Sequence, residues 1–302
     1  MIHQVKPRLS IGMPVYNGER FVKEALDSIL SQSFENFELI ISDNASTDGT
    51  EEICRVYVQQ DPRIQYHRNQ NNLGAARNYN HVFQLSKAEY FKWAAHDDVL
   101  APEFLGRCVS VLDQHPETIL CFSKVNRINE IGQIDGVYDN YDMRVSSTSR
   151  IERFQDLVLF DHYCTPVFGV MRNKILSKTK CIEAYVGSDR ILLAELGLMG
   201  PFYQIPDYLF YRRDHPQASV RAFKPNQRLS WFDPRKNGNI ALPNWRKGIE
   251  FFRAVSRVKM TWHERFQCYK IIMFWFREKR KKLFNEITYV ATPLLHSRKN
   301  TQ

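Results

Sequence analysis

The first 115 residues alternate short apolar runs with segments in which apolar positions recur every three or four residues. The apolar runs have the length of β-strands and are bounded by turn residues; they cover residues 9–15, 37–42, 63–67 and 90–95. The periodic segments indicate amphipathic helices, and they cover residues 21–31, 50–59, 75–85 and 102–115. Strands that alternate with helices favour βαβ units, so the pattern predicts an α/β domain with a parallel sheet.

The pattern changes twice in the rest of the chain. Strand-like segments at 119–125, 167–171 and 202–211 are mixed with helical segments at 151–159 and 188–198. From about residue 227, a loop rich in Pro, Gly and Asn leads into two basic, aromatic helical stretches, 245–258 and 262–290. We therefore predict a main domain over residues 1–226 and a helical, basic C-terminal region over residues 227–302.

Polar side chains cluster directly after three of the predicted strands, at residues 16–19, 43–48 and 96–98. Ligands of open α/β sheets bind in the crevice beyond the carboxyl ends of the strands, so we expect these clusters to meet at one edge. The third cluster contains Asp97 beside Asp98, two like charges that repel each other. Two explanations remain open: an aspartate that caps the helix opening near Pro102, or a divalent cation bound by the carboxylates.

The net charge of +9 belongs to the C-terminal end of the chain. Residues 246–302 carry 14 Lys and Arg against 4 Asp and Glu, whereas residues 1–245 carry 28 against 29. A neutral body without a basic stripe disfavours nucleic acid as a partner.

The six cysteines show no C-x-x-C pair, which indicates free thiols in a reducing compartment. With no secretory signal pattern and no run of about 18 apolar residues, we expect a cytoplasmic location.

The basic C-terminal helices allow two interpretations. Apolar and aromatic side chains recur there at helical spacing: Trp262, Phe266, Tyr269, Ile272, Met273 and Phe276. Residues 277–282 then contain five basic side chains in six positions. The pattern fits a helix that packs on the core and has a solvated charged end. It fits equally a basic amphipathic helix on an anionic membrane, which would place the protein at the inner membrane face near lipid-linked acceptors.

Three runs of the chain carry the polar clusters and their surroundings. They read IGMPVYNGERFVKEALDSILSQSFENFELIISDNASTDGT, NNLGAARNYN and KWAAHDD. Together they closely resemble family 2 glycosyltransferases of the GT-A fold, which transfer a sugar from a nucleotide diphosphate donor. The resemblance is strong over residues 9–125 and looser over 160–220. It implies a Rossmann-like, mainly parallel sheet flanked by helices, with the helical basic region as a C-terminal extension.

The resemblance assigns several residues to the donor nucleotide. The turn after the first strand lines the nucleoside in this family, and its matching residues are Pro14, Tyr16, Asn17 and Glu19. Asp43, with Asn44 beside it, matches the acid that accepts a hydrogen bond from uracil or an equivalent base. Arg77 matches an arginine that follows the glycine-rich turn and contacts base or phosphate.

The same resemblance places a metal ion at the D-x-D position, which is His96-Asp97-Asp98 in this chain. The family pattern makes Asp98 the metal ligand and brings Asp97 towards the ribose or donor sugar. Mg²⁺ or Mn²⁺ typically takes one or two protein carboxylates and completes its shell with phosphate oxygens. The family often has an arginine and a histidine near the diphosphate or metal, and Arg212 and His215 fit that segment. The alternative for these two residues is a basic surface loop.

An inverting transfer needs a base that takes the proton of the acceptor hydroxyl. In the family that the chain resembles, this base is an Asp or Glu that opens a helix in the second half of the chain. Asp189 matches that position in YVGSDRILLAELGLMG. The alternative is an acid that only complements the dipole of the helix N-terminus. Glu195, six residues further on, is expected to be solvated.

The resemblance therefore predicts a metal-dependent glycosyltransferase that uses a UDP-sugar and inverts the anomeric centre. Its acceptor would be the hydroxyl of a glycan or a lipid-linked sugar. Two other classes remain open: a non-catalytic nucleotide-sugar-binding module with the same fold, and a nucleotidyltransferase. The latter is disfavoured because PVYNGER, and not a G-x-G-T-R-like loop, follows the first strand.

Overall fold

The computed structural model of the chain describes residues 6–138, 143–222, 225–237 and 242–297. Within these ranges the strands are β1 (Leu9–Val15), β2 (Phe37–Asp43), β3 (Ile64–Arg68), β4 (Tyr90–Trp93), β5 (Val99–Leu100), β6 (Leu120–Ile128), β7 (Ile134–Val137), β8 (Val170–Arg172) and β9 (Phe202–Arg213). The sequence pattern did not predict β5 and β7. The first has only two residues, and the second is largely exposed and therefore lacks an apolar run.

The helices of the same ranges are α1 (Val22–Leu30), α2 (Thr50–Gln60), α3 (Ala75–Leu85), α4 (Phe104–Gln114), α5 (Arg150–Leu159), α6 (Asn173–Leu176), α7 (Ser188–Met199), α8 (Ser219–Ala222), α9 (Pro225–Phe232), α10 (Pro243–Arg257), α11 (Trp262–Glu278) and α12 (Arg280–Ser297). The stretch 262–290, predicted as one helix, is divided at Lys279 into α11 and α12. None of the helices in the described ranges is both long and apolar enough to cross a bilayer.

The strands form one mixed sheet in the order β3-β2-β1-β4-β8-β6-β9-β5, with β7 paired to β6. Strands β1 to β4 pair in parallel, and β8 joins β4 and β6 as an antiparallel strand. Because β6 and β9 pair in parallel, both run in the direction of β1. The carboxyl ends of β1, β2, β4 and β9 therefore lie at the same edge, and the predicted mainly parallel α/β fold is confirmed.

Both faces of the sheet are covered, and alternate residues of a strand enter different cores. In β2, Ile40 belongs to the cluster beneath α3, α5 and α7, whereas Leu39 and Ile41 belong to the cluster beneath α1 and α4. This double burial explains the continuous apolar runs of the sequence. On β1, Gly12 lies against α3, where an added Cβ would be 2.6 Å from Cγ2 of Val82. The glycine lets this helix pack closely on the strand.

The C-terminal helices pack into the first of these cores. Phe251 of α10 and Trp275 of α11 belong to the same cluster as residues of α5 and α7. Glu195 of α7 is only 1% exposed, and Arg257 of α10 contacts its two carboxylate oxygens at 2.9 and 2.6 Å. The expectation that Glu195 is solvated is therefore wrong, because the partner that stabilises its buried charge lies 62 residues away. The proposed boundary after residue 226 stays a prediction.

Candidate functional site

A cleft of about 1000 Å³ opens at the edge where β1, β2, β4 and β9 end. Nine of the twelve residues predicted for the site line it: Pro14, Tyr16, Asn17, Glu19, Asn44, Asp97, Asp98, Arg212 and His215. The other three, Asp43, Arg77 and Asp189, are absent from its wall. Four separate segments therefore deliver polar side chains to one cavity, as expected from the topology of a parallel sheet.

The turn after β1 is joined to the loop after β2. Asn17, whose φ of +49° is left-handed, donates its main-chain N–H to Oγ of Ser46 at 2.9 Å. Its side-chain Oδ1 accepts from the N–H of Thr47 at 2.9 Å, and Oε2 of Glu19 accepts from the N–H of Gly49 at 2.7 Å. The two loops thus form one wall of the cleft, with Tyr16, 41% exposed, in the same wall.

Asp43 and Asn44 occupy different layers of this wall. Asp43 is fully buried; Oδ1 accepts from the N–H of Ser46 at 2.8 Å, and Oδ2 accepts from Tyr66 at 2.7 Å and Arg68 at 2.8 Å. Asn44 lines the cleft, and its Oδ1 accepts from the N–H of Leu73 at 2.8 Å. Asp43 therefore anchors the loop from behind in this structure, and its contact with a base stays a prediction.

The pair Asp97 and Asp98 is held by residues at the end of β9. The main-chain N–H of Arg213 donates to Oδ1 of Asp98 at 2.9 Å, and Nε of Arg213 donates to the carbonyl oxygen of Asp97 at 2.9 Å. Nε2 of His215 lies 3.0 Å from Oδ2 of Asp97. Neither aspartate caps the following helix, because α4 begins after Glu103 and has no side-chain cap. The helix-cap interpretation of the pair is therefore wrong.

The environment gives the two carboxyl groups different pKa values. Burial and the negative charge of Asp97 raise the pKa of Asp98 to about 7. Burial alone would also raise the pKa of Asp97, but the hydrogen bond from His215 and the positive charges of His96 and His215 lower it. The two acids lie too close to ionise independently. A cation against them would favour the ionised form of both.

The residues present fit a divalent cation that shares its shell with a bound diphosphate. Within the described ranges, no group of three or more His, Cys, Asp or Glu side chains is arranged to hold a metal by itself. Two neighbouring carboxylates are available, and Nδ1 of His215 is buried without a hydrogen-bond partner. Mg²⁺ and Mn²⁺ sites at substrate phosphates need no more than one or two protein carboxylates.

The two arginines at the end of β9 have different environments. Arg213 is 3% exposed, and its guanidinium donates to the carbonyl oxygen of Asn129 at 3.0 Å and pairs with Glu24. Arg212 lines the cleft, with its guanidinium carbon 4.9 Å from the ring centroid of Tyr138. Arg213 also borders the cleft, but its guanidinium is paired with Glu24 and the carbonyl oxygen of Asp97, so Arg212 is the better placed of the two to contact a ligand.

Arg77 and the cleft lie on different sides of α3. Ala75, Asn78 and Tyr79 line the cleft from one face of this helix, whereas Arg77 is exposed. The hydrogen bond from Arg235, and to a smaller extent the charge of Arg77, lower the pKa of Asp233. The spacing of the three lining residues, i, i+3 and i+4, is that of one helical face. A contact of Arg77 with base or phosphate stays a prediction.

Asp189 lies in the first turn of α7 and does not line the cleft. Gly187, with a φ of +89°, precedes the helix, and Oδ1 of Asp189 accepts from the N–H of Arg190 at 2.8 Å. Burial together with the negative charges of Asp97, Asp98 and Asp189 raises the pKa of Tyr79, a residue of the cleft wall. Asp189 therefore has Tyr79 as a common neighbour with the carboxylate pair, and its role as a base stays a prediction.

Sequence reasoning missed several residues of the cleft wall. They are Arg20 and Phe21 after β1, Asn78 and Tyr79 of α3, Phe168, and Trp231 and Pro234 of the C-terminal region. The helical spacing of NNLGAARNYN contained a signal for the two residues of α3. The sequence held no comparable signal for the last two, because they reach the cleft through long-range packing.

Comparison with known families identifies the chain. A sequence model described as glycosyl transferase family 2 matches residues 10–179, more than half of the chain. The chain belongs to glycosyl transferase family 2. The match covers the first eight strands and their connecting turns, and it includes all predicted donor-site residues except Arg212.

Individual members of the family match over shorter segments. EpsE of Bacillus subtilis, provisionally named a glycosyltransferase, is 38% identical over 110 residues, which cover 36% of this chain and 40% of EpsE. An uncharacterised glycosyltransferase of Methanocaldococcus jannaschii, MJ1057, is 32% identical over 185 residues, which cover 61% of this chain and 62% of MJ1057. The chain thus spans less than two thirds of these relatives.

Solved structures share the fold of this family 2 chain. Residues 1–349 of Staphylococcus aureus TarS superpose with a TM-score of 0.57 and 17% identity, covering 91% of each chain. The mannosyltransferase PcManGT of Pyrobaculum calidifontis, solved with GDP-Man and Mn²⁺, gives a TM-score of 0.52 and 14% identity over 96% of this chain and 87% of its own. The likeness therefore extends into the C-terminal helices.

Proposed function

We propose that this family 2 chain is a metal-dependent glycosyltransferase, which transfers a sugar from a UDP-sugar to an acceptor hydroxyl with inversion. The observation that carries the proposal is the convergence of Tyr16 and Asn17, Asp97 and Asp98, and Arg212 in one cleft. A nucleoside, a diphosphate and a cation each find side chains of suitable chemistry there. Structural neighbours solved with UDP, UDP-GlcNAc, and GDP-Man with Mn²⁺ support this donor class.

The donor would bind along the wall formed by the turn after β1 and the loop after β2. Tyr16 offers an exposed ring for the base, and Asn44 offers an amide already oriented by its bond from Leu73. Asp43 acts from behind, since it fixes the loop that carries these groups. Asp97 would then lie towards the ribose or the donor sugar.

Asp98, with His215 nearby, would hold Mn²⁺ or Mg²⁺ against the diphosphate. The bound cation would neutralise the charge that develops on the leaving diphosphate. Arg213 fixes the position of Asp98 by a main-chain hydrogen bond, and His215 fixes that of Asp97. Arg212 adds a positive charge at the same wall, where it stabilises a departing phosphate.

Asp189 would accept the proton of the acceptor hydroxyl as that oxygen attacks the anomeric carbon. The positive end of the helix dipole favours a negative charge in the first turn of α7. The closeness of Asp189 to Tyr79, a residue of the cleft wall, supports this role. Attack of the acceptor oxygen on the face of the sugar opposite the departing diphosphate would give inversion.

The decisive experiment measures UDP release from a panel of sugar nucleotides. We expect slow release from at least one UDP-sugar in the presence of Mn²⁺, and its loss on addition of EDTA. Faster release with an added acceptor would identify the acceptor class. Tight donor binding without any release would instead favour the non-catalytic binding module.

The C-terminal helices support a second part of the proposal, a contact with an anionic membrane that carries the acceptor. One face of α11 presents Trp262, Phe266 and Met273, which are 85%, 62% and 60% exposed, at helical spacing. Lys270 and Arg277 lie on the same face. Exposed aromatic and basic side chains in one stripe are typical of helices that lie on anionic bilayers. This would fit a lipid-linked acceptor and a role in polysaccharide or cell-envelope synthesis.

Vesicle sedimentation tests the membrane contact. Wild-type protein should sediment with phosphatidylglycerol vesicles and remain in solution with phosphatidylcholine vesicles. The double variant Trp262→Ser, Phe266→Ser should lose the interaction. The matched control is Ile131→Ser, which removes a 76% exposed apolar side chain from a distant turn and should sediment as wild type. Equal sedimentation of the double variant would contradict the membrane contact.

A further inference from the structure

An aromatic pair, half-buried Tyr138 and exposed Tyr163, adjoins the cleft on the side of Arg212. The ring centroids of Tyr138 and Tyr163 lie 4.8 Å apart at an interplanar angle of 71°, and Tyr163 is 55% exposed. Arg212, a residue of the cleft wall, stacks on Tyr138 and donates to the carbonyl oxygen of Tyr163 at 3.4 Å. The pair therefore lies directly beside the cleft wall.

The loop that carries Tyr163 is held at several points. Arg190 donates to the carbonyl oxygens of Phe160 at 2.7 Å and His162 at 2.9 Å. Nδ1 of His162 accepts from the N–H of Cys164 at 3.2 Å. Cys164 has a φ of +56°, an unfavourable conformation for a residue other than glycine, which such contacts must stabilise. A loop fixed in this way displays the Tyr163 ring to solvent and does not bury it.

The same loop leads to the predicted base. Arg190, the residue after Asp189, donates to the carbonyl oxygen of His162, the residue before Tyr163, at 2.9 Å. Burial together with the negative charge of Asp189 raises the pKa of the Cys164 thiol. Tyr163 thus belongs to a loop that contacts both Arg212, at the predicted diphosphate position, and the start of α7, which carries Asp189. The reacting group that belongs between a departing diphosphate and a base is the acceptor hydroxyl.

We propose that Tyr138 and Tyr163 form an acceptor platform, on which a pyranose ring of the acceptor stacks while its hydroxyl faces Asp189. The inference rests on the proposed function and deepens it by assigning the acceptor subsite. The C–H face of a pyranose is apolar, and the negative face of an aromatic ring attracts it. A tyrosine provides this contact area at low entropic cost because its side chain has few rotatable bonds.

Saturation-transfer NMR with p-nitrophenyl glycosides as probes tests the platform. The panel contains glucosides, galactosides, mannosides and N-acetylglucosaminides, each added to protein loaded with UDP and Mn²⁺. We expect saturation of the sugar-ring protons of at least one glycoside with wild type and with Tyr163→Phe, which keeps the ring. Tyr163→Ala should weaken that binding by about 3- to 10-fold, as expected for loss of one stacking contact.

Tyr203→Ala is the matched control, because this 37% exposed tyrosine lies at the opposite end of β9 from Arg212. It should bind the glycoside as wild type does. Equal binding by Tyr163→Ala, or no binding of any glycoside by UDP-loaded protein, would overturn the platform. UDP binding measured on the same samples separates the two proposals: if wild type fails to bind UDP with Mn²⁺, the proposed function itself is wrong.

Discussion

The main-chain N–H of Arg213 donates a hydrogen bond to the Asp98 carboxylate at 2.9 Å, and thereby joins residues that are 115 positions apart in the chain. The last residue of β9 thus fixes the side chain that follows β4. The Arg213 guanidinium, buried against Glu24 and the carbonyl oxygen of Asp97, prevents this junction from shifting. The carboxylate proposed to bind the metal is consequently in position before any ligand arrives, which lowers the entropic cost of binding.

Replacement of Asp98 by asparagine should remove metal-dependent donor binding and preserve the fold. The amide keeps the shape of the side chain but no longer carries the charge that attracts a divalent cation. We expect the Kd for UDP with Mn²⁺ to rise at least tenfold, or about 1.4 kcal/mol, in isothermal titration. Binding in EDTA should equal that of wild type. Glu103→Gln, an exposed neighbour, is the control, and an unchanged Kd for Asp98→Asn would exclude Asp98 as the ligand.

Replacement of Asp189 by asparagine should abolish transfer without weakening donor binding. General-base catalysis typically contributes a factor of about 100 to 10,000, so kcat should fall at least 100-fold. The Kd for UDP should not change, because Asp189 lies outside the cleft wall. Asp161→Asn, which alters a 77% exposed side chain on the neighbouring loop, is the control. Normal turnover by Asp189→Asn would leave the acid only a role at the helix N-terminus.

The buried pair of Glu195 and Arg257 should contribute strongly to stability. Arg257→Ala leaves the Glu195 carboxylate buried without a partner, which should lower the free energy of unfolding by about 3 kcal/mol. Urea unfolding measures this change. Arg253→Ala is a suitable control, since Glu250 retains Arg246 at 2.7 Å and the loss should stay below about 1 kcal/mol. Equal losses in the two variants would argue that the α7–α10 contact is not stabilised by this pair.

Stability should fall in mild acid because His162 is buried in its neutral form. Nδ1 accepts a hydrogen bond from Cys164, and burial together with the charge of Arg190 lowers the pKa of His162 from 6.5 to about 4. The unfolded chain therefore binds this proton more readily than the folded chain does. The contribution of neutral His162 to the free energy of unfolding is complete above pH 6.5 and is lost as the pH falls to about 4. The free energy of unfolding then decreases by about 3 kcal/mol.

Urea unfolding between pH 4.5 and 7.5 checks this dependence. His162→Gln should show a smaller decrease of stability over this range, since the titrating group has been removed. His115→Gln, which changes a histidine whose side chain is 45% exposed, should retain the wild-type slope. Identical slopes for wild type and His162→Gln would assign the acid sensitivity to other groups.

The sequence predicted those parts of the fold whose burial leaves a regular pattern. β1, β2 and α3 were found to within one residue, because both faces of the strands and one face of the helix are covered. β7 escaped prediction since its side chains are largely exposed. Glu195 was misjudged because local periodicity contains no information about a partner in α10.

In the candidate site, too, the sequence predicted only those residues whose position follows from a local pattern. Residues that directly follow strands were predicted, since strand direction alone brings them to one edge. The distinction between Arg212 and Arg213 required the phase of β9, and a shift by one residue exchanges the two faces of a strand. Trp231 and Pro234 belong to a segment whose position depends on packing against distant residues, which no local pattern reveals.

Gly74 marks the point where that distant segment meets the start of α3. Its φ is +82°, and an added Cβ would lie 2.5 Å from the carbonyl oxygen of Phe232. Trp231 and Pro234, on either side of this contact, complete the cleft wall. A chimaera that exchanges everything after residue 226 for the tail of a relative would therefore inherit part of the donor pocket from the second parent, and a truncation at that point would leave the pocket open on one side.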